Sequence, residues 1–123
     1  MRLRTVIAML LLLVTAAPAS ATVTLYTPPQ LLNTGLLDLW CVITNVSSKP
    51  VVVSITVLSE SGSELDNTGE FSLDPLRTGG AASSGTATAS MCRFTVNGAA
   101  RAVRASSCVF DVSIGCISTV PAE

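Results

Sequence analysis

Cys41, Cys92, Cys108 and Cys116 have the most chemistry to offer in this chain, either as thiolate ligands of a metal or as halves of disulfides. Zinc sites draw on C-x-x-C pairs and histidines, whereas here no two cysteines stand closer than eight positions and histidine is absent. An even number of cysteines in an exported chain therefore predicts two disulfides and no metal site. Catalysis is disfavoured on the same inventory. General acid–base work near neutral pH most often uses histidine, and a bridged cysteine is no nucleophile. No G-x-S-x-G elbow occurs, and the last 102 residues hold a single lysine, Lys49. The chain is expected not to be an enzyme, with no catalytic or cofactor-binding residue assigned and no cofactor required.

Three further polar groupings have a functional and a structural reading. Glu60, Glu64, Asp66 and Glu70 crowd around a glycine turn, as calcium loops do. Their spacing matches no D-x-D-x-D-G pattern, and acidic edges also keep sheets from pairing with other chains, so a solvated edge is expected. Asn45-Val46-Ser47 fits the N-x-Ser glycan acceptor pattern, but its position between two strand-like runs predicts a turn residue bonding to nearby backbone. Arg93, Arg101 and Arg104 flank Asn97-Gly98 and are read as solvated charge or as a small patch for an anionic partner.

The elements that must carry these residues begin after residue 21. Met1–Arg4 supplies a basic cap, Thr5–Val14 an apolar run and Ala19-Ser20-Ala21 a small-residue end, the layout of a secretory signal peptide cleaved after Ala21. The apolar run is too short to span a bilayer, so the mature chain, residues 22–123, is expected to have no membrane span and to be secreted or periplasmic. It carries five Lys/Arg against eight Asp/Glu, which offers no electrostatic footprint for nucleic acid.

Residues 22–123 read as one domain of strands. Leu36–Thr44 places Leu37, Leu39, Cys41 and Ile43 on one face and Asp38, Trp40, Val42 and Thr44 on the other. Val51–Leu58 does the same with Val51, Val53, Ile55 and Val57. Thr22–Tyr26, Thr86–Val96, Arg101–Val112 and Gly115–Val120 are further strands, with imperfect alternation at Arg104–Ser107 suggesting a bulge. Asn33-Thr34-Gly35 signals a turn, and Asn97-Gly98 a hairpin or tight turn. Glu64–Leu73 reads as an irregular edge crossing and Arg77–Gly85 as a glycine- and serine-rich loop. No helical period survives past residue 21, so the fold class is all-β, an antiparallel β-sandwich of about seven strands.

The run "ITNVSSKPVVVSITVLSESGSEL" followed by "FSLDPL" resembles the small immunoglobulin-like or fibronectin-III-like β-sandwich domains of bacterial secreted proteins. The resemblance implies a fold and brings no catalytic residue with it. In that topology Cys41 falls on strand B, Cys92 on E, Cys108 on F and Cys116 on G. Bridges between adjacent strands then favour Cys41 with Cys92 and Cys108 with Cys116. The inter-sheet set, Cys41 with Cys108 and Cys92 with Cys116, remains the alternative. Antibody domains pack a tryptophan from strand C against their bridge, whereas Trp40 adjoins Cys41 and faces the other way. The expected role is a non-enzymatic binding or structural module for a protein or glycan partner. The alternative is an adhesin or pilus-type subunit acting by edge-strand pairing.

Overall fold

The computed structural model describes residues 21–32, 37–84 and 89–123. The signal peptide read at residues 1–21, the Asn33-Thr34-Gly35 turn and the start expected at Thr86 for a later strand lie outside these residues, apart from Ala21. Ten strands are present among the described residues rather than seven: β1 (Thr22–Tyr26), β2 (Gln30–Leu31), β3 (Leu37–Asn45), β4 (Val51–Ser59), β5 (Glu64–Asn67), β6 (Phe71–Leu73), β7 (Thr78–Ser84), β8 (Ala89–Asn97), β9 (Val103–Asp111) and β10 (Gly115–Pro121). A 3-10 turn at Ala100–Ala102 precedes β9.

Two antiparallel sheets form the sandwich. One has the order β1-β8-β4-β5, with β2 also on β8 and β6 also on β4; the other runs β10-β9-β3-β7. The alternation read in the sequence sets the core: Leu39, Cys41 and Ile43 of β3 face Val53, Ile55 and Val57 of β4 and Cys92, Phe94 and Val96 of β8, all fully buried. Burying four aliphatic side chains along β4 stabilises the fold by roughly 1.5–3 kcal/mol each.

The extra strands arise where the sequence has no apolar period. Pro28-Pro29 breaks the first strand, so β1 and β2 pair with opposite ends of β8. Glu64–Leu73 is two strands, β5 and β6, both paired with β4. Between them Thr68 holds the chain to β4, its Oγ1 accepting from the Ile55 amide at 3.0 Å.

Thr78–Ser84, expected to be loop, is a strand that pairs with β3 from Asp38↔Ser84 to Thr44↔Thr78. Its small residues answer to close neighbours. A Cβ on Gly79 would lie 2.8 Å from the Phe71 ring, and one on Gly80 3.3 Å from the Cys41 carbonyl oxygen.

Two expected irregularities also move. Arg104–Ser107 pairs with β3 in continuous register, and register shifts fall instead at Ile117 of β10, between Cys116 and Ser118, and in the β4–β5 pair between Val57 and Leu58. Asn97-Gly98 does not close a hairpin. The chain there leaves one sheet for the other, with Gly98 at φ +147° and its amide bonded to the Ala21 carbonyl at 2.9 Å.

Candidate functional site

Both disulfides form in the favoured pairing. Cys41–Cys92 has its Cα atoms 5.7 Å apart and Cys108–Cys116 5.6 Å. The first pair does not join adjacent strands as expected: β3 and β8 lie in different sheets, so Cys41–Cys92 is an inter-sheet bridge through the core. Cys108–Cys116 does join neighbours. Cys116 stands opposite Phe110 and Cys108 opposite Thr119, so the bridge crosses the β9–β10 pair diagonally.

That second bridge lies on the outer face of the four-stranded sheet. Trp40 stands opposite Cys108 on one side and Ala82 on the other, because β3 is flanked by β9 and β7. Its ring stacks on Phe110, centroids 4.6 Å apart and planes 25° from parallel, and Trp40 is still 41% exposed. Asp38, Ser106 and Thr119 share this face by register. Beyond the bridge the hairpin tip carries Val112 and Ile114, 78% and 74% exposed. An aromatic pair on a flat sheet face, rimmed by hydrogen-bonding groups, can stack against a sugar ring or an apolar protein surface. Phe110 was not singled out in the sequence. Its alternation with Cys108 was the available signal, but using it required knowing that β3 and β9 pair.

Asn45 is a structural tie. It is fully buried, and its Nδ2 donates to the Lys49 and Leu73 carbonyls at 2.8 Å each. Its Oδ1 accepts from the Ser47 amide and hydroxyl at 2.9 and 2.7 Å. The amide nitrogen a glycan would join is thus turned inward. The Asn45 backbone adds bonds from its N–H to Arg77 O and from Leu76 N–H to its own O.

The four carboxylates read as a calcium candidate disperse. Glu64 pairs with Arg93 at 2.9 Å, Asp66 accepts from the Asn67 amide, and Glu70 borders a shallow cleft of about 60 Å³ with Thr22, Val52, Ser54, Thr95 and Asn97. Among the described residues, no group of three or more Cys, Asp or Glu side chains is placed to hold a metal ion. Arg93 also separates from the other two arginines. Arg93 goes to Glu64 and Thr56, whereas Arg104 stands opposite Thr44 at the far end of β9, near Arg101.

Inside the sandwich a polar contact joins the sheets. Gln30 accepts from Ser107 Oγ and donates to Ser118 Oγ at 3.2 Å. Ser90, opposite Gln30 in register, has a buried hydroxyl with no partner among the described residues.

Fold and site together define a disulfide-stapled all-β sandwich with an aromatic outer face. Among the described residues no helix is long and apolar enough to cross a membrane, and the two bridges fit an extracellular or periplasmic setting. Comparison with family models, curated proteins and solved structures finds no match to the chain.

Proposed function

We propose that this chain is an exported, non-enzymatic module that binds a protein or glycan partner through the outer face of its four-stranded sheet. The half-exposed Trp40–Phe110 stack beside the Cys108–Cys116 bridge carries this reading. A stacked aromatic pair offers a large, rigid contact area at small entropic cost. Asp38, Ser106 and Thr119 supply hydrogen bonds at its rim. Export follows from the basic cap, apolar run and Ala-x-Ala end of residues 1–21, and the disulfides accord with it.

The test screens the purified protein against immobilised glycans and immobilised proteins, and against glycoside, ester and peptide hydrolysis probes. Retention on one or more glycans or protein surfaces, lost at least about tenfold in Trp40→Ala, supports the reading. Turnover of a hydrolysis probe, or binding indifferent to Trp40→Ala and Phe110→Ala, contradicts it.

The alternative of an immunoglobulin-like adhesin or pilus-type subunit rests on β7. This strand pairs with β3 along one flank and contains neither charge nor proline in Thr78–Ser84. Ala82 lies exposed on the outer face, so Ala82→Lys adds a gatekeeper without touching the core. Under this alternative the substitution abolishes capture of an extended peptide, read as loss of amide protection along β7.

A further inference from the structure

Residues 22–123 are acidic overall, but their cations are not spread evenly. Of the five Lys and Arg in this stretch, Arg93 is paired with Glu64 on the six-stranded sheet at 2.9 Å. The other four, Lys49, Arg77, Arg101 and Arg104, gather at one end of the sandwich, where the β3–β4, β6–β7 and β8–β9 connections meet. Asn45 is the hub. Its N–H donates to Arg77 O, its carbonyl accepts from Leu76 N–H and its Nδ2 donates to Lys49 O, while the next residue, Val46, donates its N–H to Ala102 O. Arg104 stands opposite Thr44, the residue before the hub. All four cationic side chains are exposed, and among the described residues none of them is ion-paired. Asp74 is the one carboxylate in these three connections. Glu70 borders the cleft on the six-stranded sheet, and Glu123 turns away to pair with Tyr26.

Aliphatic side chains stand among these charges. Val46 is 43% exposed and Leu76 79%. Leu76 occupies the third position of the Asp74–Arg77 turn at φ +61°, closed by Arg77 N–H on Asp74 O at 3.1 Å. Glycine or asparagine is the usual choice at such a position, because a Cβ is disfavoured there. The strained leucine adds little to the core, since most of its side chain is left in solvent; what it supplies is an apolar tip among four cations. The exposed aromatic side chains lie elsewhere: Trp40 is five positions before Asn45 on β3, and Tyr26 stands opposite Arg93.

We propose that this end docks the protein on an anionic lipid bilayer. Leu76 and Val46 enter the boundary between headgroups and acyl chains, and Lys49, Arg77, Arg101 and Arg104 meet the lipid phosphates. Aliphatic tips inside a basic surround are how interfacial proteins hold to a membrane without crossing it. A bilayer fits this end better than an acidic polysaccharide, because the end offers aliphatic side chains to bury and no exposed ring on which a sugar could stack. The inference is independent of the partner face around Trp40, which lies on the side of the sandwich.

Vesicle co-sedimentation of the protein, expressed from Met1 in a secreting host, tests it. The protein pellets with vesicles of about 30% phosphatidylglycerol in phosphatidylcholine at about 20 mM salt and stays in solution with pure phosphatidylcholine. It is released from the anionic vesicles at about 500 mM salt, where charges are screened within a few ångströms. Arg101→Glu/Arg104→Glu lowers the partition coefficient at least about tenfold. Leu76→Gly relieves the left-handed backbone, so it keeps or raises the melting temperature while lowering partition about fivefold. Equal binding to both kinds of vesicle, or binding to neither, overturns the proposal, as does anionic-vesicle binding indifferent to either variant. Retention on an immobilised acidic polysaccharide without vesicle binding overturns it in favour of a glycan ligand.

Discussion

The two disulfides are the same bond in opposite settings. Cys41–Cys92 closes a separation of 51 residues and lies wholly inside the core, joining β3 to β8 across the sandwich. Cys108–Cys116 closes a separation of 8 residues on the outer face, with Cys116 exposed on an edge strand. The first bridge fixes how the sheets meet. The second shapes a surface already formed by the β9–β10 hairpin, and the aromatic stack lies beside it. Interior ties build the scaffold, whereas exterior ties hold a face in a defined shape for contact.

The contrast should appear first in stability. Cys41→Ala/Cys92→Ala is expected to cost about 4 kcal/mol in denaturant unfolding, because the loop it closes is long and the unfolded chain gains much freedom. Asn45→Ala, at the core end of the same strand, should cost about 3 kcal/mol, since it strands the buried Leu73 carbonyl and frees the β3–β4 turn. Urea melts of the two variants would show whether the interior ties dominate as expected. On the outside, Cys108→Ala/Cys116→Ala should cost about 2.5 kcal/mol and leave the cooperativity of unfolding unchanged. A loss there equal to that of the interior pair would erase the distinction. The smallest effect belongs to the stack: a double-mutant cycle on Trp40→Ala and Phe110→Ala should return a coupling of about 1 kcal/mol, with the fold intact by circular dichroism.

The interior was legible in the sequence to the extent that strand periodicity could express it. Val51, Val53, Ile55 and Val57 share one face of β4 and all four are buried, together with Thr56 and Leu58 from the other face. Leu39, Cys41 and Ile43 follow the same rule. β7 was not legible, because Gly79 and Gly80 are small to admit Phe71 and the Cys41 carbonyl, and such residues look like loop until their neighbours are known. The cysteine pairing came out as expected although Cys41 and Cys92 belong to different sheets. The pairing survives because side chains on facing inner surfaces meet as readily as those on adjacent strands.

The outer site was less legible. Trp40 was placed on the face opposite Cys41, which is where it lies, but its partner Phe110 is 70 positions away and depends on the β3–β9 register. Leu76 gave no signal, because Asp-Pro-Leu-Arg lacks the glycine that usually announces positive φ. The bulge at Ile117 was also hidden, since Gly115–Val120 contains only one ordinary alternation to misread.

Graded reduction of the folded protein, followed by intact mass and peptide mapping, tests the division between the two bridges most directly. The account predicts that Cys108–Cys116 opens first, while Cys41–Cys92 stays closed and the sandwich keeps its far-ultraviolet spectrum, because Cys116 is exposed to solvent whereas Cys41 and Cys92 are fully buried. Opening of both bridges in one step together with loss of the fold, or opening of Cys41–Cys92 first, would contradict it.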